Sequence, residues 1–450
     1  MKPYNDTLDK INLFDKNYQN INKNLNCFTS NLSDFARENF YDYNKKGKLF
    51  GKLIAIKDNI NITDYSTTCT SDILTNYDSL YNATVIDRIL NEQGSIVAKT
   101  NMDEFAMGSS SEYSNLGPVI NPYQSNRVAG GSSGGSASAV AGSEIDIALG
   151  SDTGGSVRQP ASFCGIYGFK PTYGRISRYG LTAFASSLDQ VGIFTKNIDD
   201  LIMMFDSIAG YDKKDSNTSN LPLDKDMIDS TKIKIAYSKK IFDKLESKVQ
   251  KKLNAYVKFL GNHDIDLVDI DINIPDYSIP TYYIISAAEA CSNLSRYDGT
   301  RYGKRSKEIN LESMYNKTRA KFFGEEVKRR IMIGNYVLSS GYYDAYYKKA
   351  QSVRRIIRDN MVKYFKKFDI ILLPTSPTTA FEINEKKNKT IDMYLSDIFT
   401  IPLSLYGLPA INIPLGNIDG LPLGAQLCAN HFQENKLFSL SKFTEDNYTF

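Results

Sequence analysis

A chain of 450 residues can bury a large core, and length alone leaves room for two or three domains. Its 42% hydrophobic and 23% charged residues are ordinary for a globular protein, and 54 Lys and Arg against 51 Asp and Glu leave a net charge of +3, which argues against a chain that grips nucleic acid by itself. The five cysteines are far apart without a C-x-x-C pair, and the two histidines, His263 and His431, lie in polar stretches read as surface loops, so a disulfide framework, a metal centre and a Ser-His-Asp triad are all disfavoured.

The opening residues 1–48 are polar, with helical spacing in Leu8, Ile11, Leu13 and Phe14, and they carry acids and no apolar signal region. No run of about 18 apolar residues follows, so no membrane span is expected. A cytoplasmic protein is expected, an organelle being the alternative. Lys52–Lys57 reads as a short strand ending in a turn. Residues 83–92 read as an amphipathic helix, closed by Gly94 and followed by a strand over 95–99.

Two glycine-serine turns, 130–136 and 150–156, flank a small-residue helix over 133–141 and a strand over 145–149. A helix begins near Asn197, and the polar stretch 211–230 is the candidate subdomain boundary. Strand, helix and strand resume at 232–237, 246–260 and 265–272. Residues 310–365 read as largely helical, 369–373 as a buried strand stopped by Pro374, and 382–390 as a charged loop. The last strands are 410–414 and 424–429. This alternation predicts one α/β domain over 1–450, with a central mixed, mostly parallel sheet flanked by helices on both faces.

Three residues in this frame are candidates for catalysis: Lys57, Ser132 and Ser156. A serine after two glycines that opens a helix has an exposed hydroxyl and free amides beside it, so one turn can supply a nucleophile and an oxyanion pocket. A serine hydroxyl needs a base, and with no suitable histidine a lysine serves if burial keeps it neutral. Each residue also has a plain structural reading: Ser156 as a helix cap, Ser132 as a turn residue, Lys57 as a solvated strand end. The turn 130–136 could equally cradle an anion, although no G-x-x-x-x-G-K-[ST] pattern supports a nucleotide site.

Taken together, the trio and its spacing resemble the amidase signature family, which pairs a lysine, a bridging serine and a nucleophilic serine. Further stretches resemble one branch of it, the A subunits of glutamyl-tRNA(Gln) amidotransferases. They include Asn101–Gly108, Lys170–Arg175, Ala185–Gly192, Ser292–Gly299, Glu326–Ile331, Gly341–Tyr347 and Thr400–Pro402, and the likeness covers roughly residues 50 to 430.

The resemblance implies the amidase signature fold and a glutaminase. In it Lys57 takes a proton through Ser132 from Ser156, which attacks the side-chain amide of glutamine, while the amides of Thr153, Gly154 and Gly155 hold the oxyanion. It also implies that Arg330 and Asp397 bind the α-carboxylate and α-ammonium of glutamine, with a tyrosine, Tyr282 or Tyr283, beside them. The chain itself would need no cofactor. ATP and Mg would sit on a partner subunit that activates Glu-tRNA(Gln) and receives the ammonia, within a heterotrimer of A, B and C subunits. A free-standing amidase acting on a small amide is the alternative. The segment before Lys52 is shorter than the family pattern, so its opening helix is expected to be truncated or replaced, and the tail after Ala429 is short.

Overall fold

Eleven strands hydrogen-bond into one sheet in this computed structural model, which describes residues 2–40, 47–274, 276–387 and 389–449. The strands are β1 (Phe28–Asn31), β2 (Leu53–Lys57), β3 (Ser95–Thr100), β4 (Ile147–Asp152), β5 (Tyr167–Lys170), β6 (Gln190–Thr195), β7 (Lys234–Tyr237), β8 (Asp266–Asp269), β9 (Ile370–Pro374), β10 (Ala410–Ile418) and β11 (Leu421–Ala429). Their order is β1-β3-β2-β4-β6-β5-β10-β11-β9-β7-β8, so strands from before and after the polar stretch 211–230 share the sheet.

The sheet is mixed, as expected, but less parallel than expected. Four pairings are parallel, β3–β2 and β2–β4 at one end and β9–β7 and β7–β8 at the other. The other six are antiparallel. The physical reason lies in three strands absent from the sequence reading and in the tight turn that joins β10 to β11. β1, β5 and β6 are short strands that enter antiparallel to their neighbours. β10 and β11 form a hairpin through Asp419 and Gly420, both with positive φ (52° and 78°), a geometry that suits the twist of paired strands.

Side chains alternate across the strands and give each face its own core. Ile54 and Ile56 of β2 and Ile147 and Leu149 of β4 pack with the helices Thr84–Asn91, Ile198–Ile208, Ser247–Asn262 and Glu434–Asn447. Leu53, Ala55 and Ala148 face the other way, against the helices Lys2–Leu25 and Gly134–Gly142. Each such aliphatic side chain, once buried, contributes roughly 1.5–3 kcal/mol.

Both terminal segments are helical. The opening segment is a 24-residue helix, Lys2–Leu25, which buries Ile11, Phe14, Tyr18, Ile21 and Leu25 while Leu13 faces solvent. The residues after Ala429 form a 14-residue helix, Glu434–Asn447. The region 310–365 is helical as expected: Leu311–Phe322, Glu325–Leu338 and Lys349–Phe365. Among the described residues no helix is long and apolar enough to cross a membrane.

Candidate active site

The parallel strands β2, β3 and β4 deliver their carboxyl ends to one place, where open α/β sheets characteristically put ligand-binding loops. Lys57 is the last residue of β2 and is fully buried. Its Nζ lies 2.7 Å from Ser132 Oγ, 2.8 Å from Ser133 Oγ and 2.9 Å from Ser151 Oγ. Burial pushes this lysine down to about 7, opposed by the charges of Asp103 and Asp152.

A neutral amine has two N–H donors and one lone pair. Ser133 Oγ already donates to the carbonyl of Ser151 (3.1 Å), so it can only accept from Lys57. Ser151 Oγ also accepts from Asn59 Nδ2 at 3.0 Å. With both N–H groups directed to Ser133 and Ser151, the lone pair of Lys57 is left for the hydroxyl proton of Ser132. The first glycine-serine turn is therefore filled by a lysine.

That turn is clamped from behind by Asp103. Its amide donates to the Ser132 carbonyl (3.1 Å), and its carboxylate accepts from the amides of Ser111 (2.8 Å) and Tyr113 (3.0 Å). A Cβ on Gly131 would fall 2.2 Å from Asp103 Oδ2, so the close approach needs glycine. Gln159 joins the two sides, accepting from Gly131 N at 3.0 Å and donating to the Ser109 carbonyl at 2.8 Å.

The second turn runs from the end of β4 into the helix Arg158–Phe163. Thr153 Oγ1 donates to Asp189 (2.7 Å), and Asp152 binds Arg158, both fully buried. Ser156 is 8% exposed where Lys57 and Ser132 are 0%, so it is the member of the trio nearest solvent. Its hydroxyl makes no hydrogen bond to another described residue, and neither do the amides of Gly154 and Gly155. The structure thus joins Lys57 directly to Ser132 and leaves Ser156 and its neighbouring amides free for a ligand.

The expected substrate anchors come to this turn from distant segments. A Cβ on Gly155 would lie 2.3 Å from Thr400 Oγ1 and 3.0 Å from Asp397 Oδ1, and one on Gly154 would lie 2.8 Å from the ring of Tyr282. Asp397 Oδ2 accepts from the Ser109 hydroxyl, while Asp397 Oδ1 is buried without a partner. Burial raises this carboxyl to about 7, against the hydrogen bond from Ser109.

Arg330 projects from the helix Glu325–Leu338 and donates from Nε to Glu326 Oε1 at 2.7 Å. Its Nη1 is buried without a partner. Burial disfavours its charge, but Glu326 more than restores it and holds the guanidinium above its ordinary value.

The two tyrosines divide the work between these regions. Tyr282 touches the Gly154 turn, and Tyr283 lies under the Arg330 guanidinium, 4.5 Å from Cζ to ring centroid. The sequence reading missed Ser133, Ser151, Asp103, Gln159, Ser109 and Glu326. Ser133, Ser151, Asp103 and Glu326 stand inside motifs already singled out, whereas Ser109 meets Asp397 only through the fold.

His263 is exposed and His431 is half-buried, bonded to the carbonyl of Tyr406 (3.0 Å), so neither joins the site. Among the described residues no three His, Cys, Asp or Glu side chains come together as a metal would require.

This fold, with a lysine and paired serines held between two glycine-serine turns, defines an amidase. The Amidase family model matches residues 9–438, and the chain belongs to that family. It is 51% identical over 412 residues to the A subunit of the glutamyl-tRNA(Gln) amidotransferase of Clostridium botulinum (strain Kyoto / Type A2), covering 89% of this chain and 84% of the relative. It is also 51% identical to the corresponding protein of Chlorobium phaeobacteroides, covering 88% and 85%.

The crystal structure of the A subunit of glutamyl-tRNA(Gln) amidotransferase from Thermotoga maritima superposes with a TM-score of 0.82 at 41% identity, over 98% of this chain and 92% of that one. A 6-aminohexanoate cyclic dimer hydrolase shares the fold at a TM-score of 0.85 and 21% identity, over 99% and 94%.

Proposed function

We propose that this chain is the glutamine-hydrolysing A subunit of a glutamyl-tRNA(Gln) amidotransferase. The observation that carries the reading is a pair of buried, unfilled hydrogen-bonding atoms on charged side chains near the nucleophile turn: Arg330 Nη1, on a guanidinium otherwise tied to Glu326, and Asp397 Oδ1, on a carboxylate otherwise bonded to Ser109. Burying a charged group without its hydrogen bonds costs free energy, so such groups are kept for a ligand that completes them. A cation and an anion, each with an open hydrogen-bonding atom, complement an amino-acid head group, which a simple aliphatic amide lacks.

Glutamine so held would present its side-chain amide to Ser156. The Ser156 hydroxyl gives its proton to Ser132, which passes its own to the lone pair of Lys57, while Ser156 Oγ attacks the amide carbon. The amides of Thr153, Gly154 and Gly155 receive the oxyanion, each such donor contributing about 3 kcal/mol. Collapse breaks the C–N bond, and the proton returns from Lys57 through Ser132 to the leaving nitrogen. Water, activated by the same relay, then cleaves the ester and frees glutamate and Ser156.

The ammonia passes to a partner. In this reading a B subunit uses ATP and Mg to activate Glu-tRNA(Gln), a small C subunit stabilises the assembly, and the glutaminase chain needs no cofactor of its own. The near-neutral charge of the chain suits a division of labour in which the partner grips the tRNA.

The test is ammonia release from glutamine and from a simple aliphatic amide, with and without the partner subunits. The reading requires that glutamine be strongly preferred and that the partners raise the rate. Preference for the aliphatic amide with indifference to partners would instead indicate a free-standing amidase.

A further inference from the structure

We propose that Tyr394 is a further specificity-determining residue of this site, its hydroxyl being a second donor, beside Arg330, to the α-carboxylate of the substrate. The proposal rests on the glutaminase reading above.

Tyr394 belongs to the short helix Thr390–Leu395, some sixty residues from Arg330 in sequence, and reaches the site through packing. Its ring stacks on Tyr283, centroids 3.5 Å apart and planes 21° from parallel. Arg330 Cζ lies 5.3 Å from the Tyr394 centroid and 4.5 Å from that of Tyr283. The two rings therefore stack on each other, and the guanidinium packs against both at the side of that stack.

Beside it the Tyr394 hydroxyl is buried with no acceptor for its proton, and Arg330 Nη1 is buried without an acceptor too. Burial raises the phenol above its ordinary value, and the charge of Arg330, together with the approach of its guanidinium to the phenol oxygen, pulls the other way. A buried hydroxyl whose proton finds no acceptor costs free energy that a ligand accepting it would recover. Two neighbouring orphans, a guanidinium N–H and a phenol O–H, are both offered as donors, and their shared complement is an anion with two oxygens.

Arg330 alone is a poor carboxylate clamp. Its Nε is committed to Glu326, whose negative charge also offsets the attraction for a second carboxylate. An uncharged donor on the same wall adds a hydrogen bond without adding to that offset. It also sets specificity, since an amide lacking the α-carboxylate would leave both donors unpaired.

The test replaces Tyr394 by Phe in the full chain co-expressed with its partner subunits. The ring and its stack remain and only the hydroxyl is lost. Three amides are compared: glutamine, glutaramate (which lacks the α-ammonium) and 4-aminobutanamide (which lacks the α-carboxylate). The expected result is a KM raised about tenfold for glutamine and for glutaramate, kcat changed less than twofold, and no change in KM for 4-aminobutanamide.

An equal change in KM for all three amides would overturn the proposal and leave Tyr394 a packing residue. So would an unchanged KM for glutamine. If the unsubstituted enzyme itself failed to distinguish glutamine from 4-aminobutanamide, the glutaminase reading would fall first, and this proposal with it.

Discussion

Asp152 and Arg158 meet as a two-pronged ion pair at the base of the nucleophile turn, Oδ2 taking Nε at 3.0 Å and Oδ1 taking Nη2 at 3.0 Å. Both side chains are wholly shielded from solvent. Arg158 goes on to bind the Thr400 carbonyl (3.1 Å), Gln426 (2.9 Å) and Ser404 (2.8 Å), so one guanidinium ties the turn to the segment that follows Asp397.

Removing one partner of such a pair leaves an uncompensated buried charge, which costs about 3–5 kcal/mol. Arg158→Ala is expected to lower the unfolding free energy by that amount. Arg158→Lys should recover little, because a lysine with three donors cannot make the five hydrogen bonds the guanidinium makes. Chemical denaturation of the three proteins checks this, and a lysine variant as stable as the parent would contradict it.

Lys57 sets the acid side of the reaction. Buried down to about 7, it is a base only when deprotonated, so kcat should rise as pH climbs through about 7 and then level. Lys57→Arg, charged at every accessible pH, should lose about a hundredfold or more in kcat and show no such rise. A pH profile of single-turnover ammonia release reads both.

Asp397 titrates in the same range but acts on another constant. Its folded pKa, near 7, lies above the ordinary carboxylate value, so in the free protein it takes up a proton as pH falls through 7. A protonated Asp397 no longer attracts the α-ammonium, so KM for glutamine should rise below pH 7. Asp397→Asn should raise KM about tenfold or more above pH 7, converge with the parent well below it, and abolish the pH-dependent rise. A deaminated amide should be insensitive to both changes, and sensitivity in it would remove Asp397 from the ammonium site.

Gly155 tests the closeness of the turn to the anchors. A methyl there would lie 2.3 Å from Thr400 Oγ1 and 3.0 Å from Asp397 Oδ1. Gly155→Ala is expected to cost about 1–3 kcal/mol in stability and to depress kcat/KM for glutamine, as the shifted turn misdirects its amides. Unchanged kinetics would mean that the turn does not face the substrate.

Much of this was legible in the sequence because the catalytic parts sit in short motifs with strong local character. Lys57 closes a five-residue strand, and the two glycine-serine turns bracket a helix of small residues and a short apolar strand. The missed parts share one trait, which is that their meaning lies in contacts across long separations. Strands β5 and β6 are brief and interrupted by Gly168 and Gly192, and only their neighbours in the sheet define them.

The hairpin of β10 and β11 was written locally in Asp419-Gly420, yet its length came from pairing and was underread. Ser109 reaches Asp397 across 288 residues, and Tyr394 reaches Arg330 from beside a charged stretch read as loop. Choosing between Tyr282 and Tyr283 needed the helix Ser278–Asn293 in place, because adjacent residues on a helix point in different directions.

The central claim is that Ser156 forms an ester with the glutamyl group. The most direct measurement is mass spectrometry of the Ser156 peptide after glutamine turnover is quenched in acid, for the parent and for Lys57→Ala and Ser156→Ala. The account predicts a peptide heavier by one glutamyl group in the parent, little or none in Lys57→Ala, and none in Ser156→Ala together with loss of ammonia release. Ammonia release that persists in Ser156→Ala, or a glutamyl group carried on another residue of the parent, would contradict it.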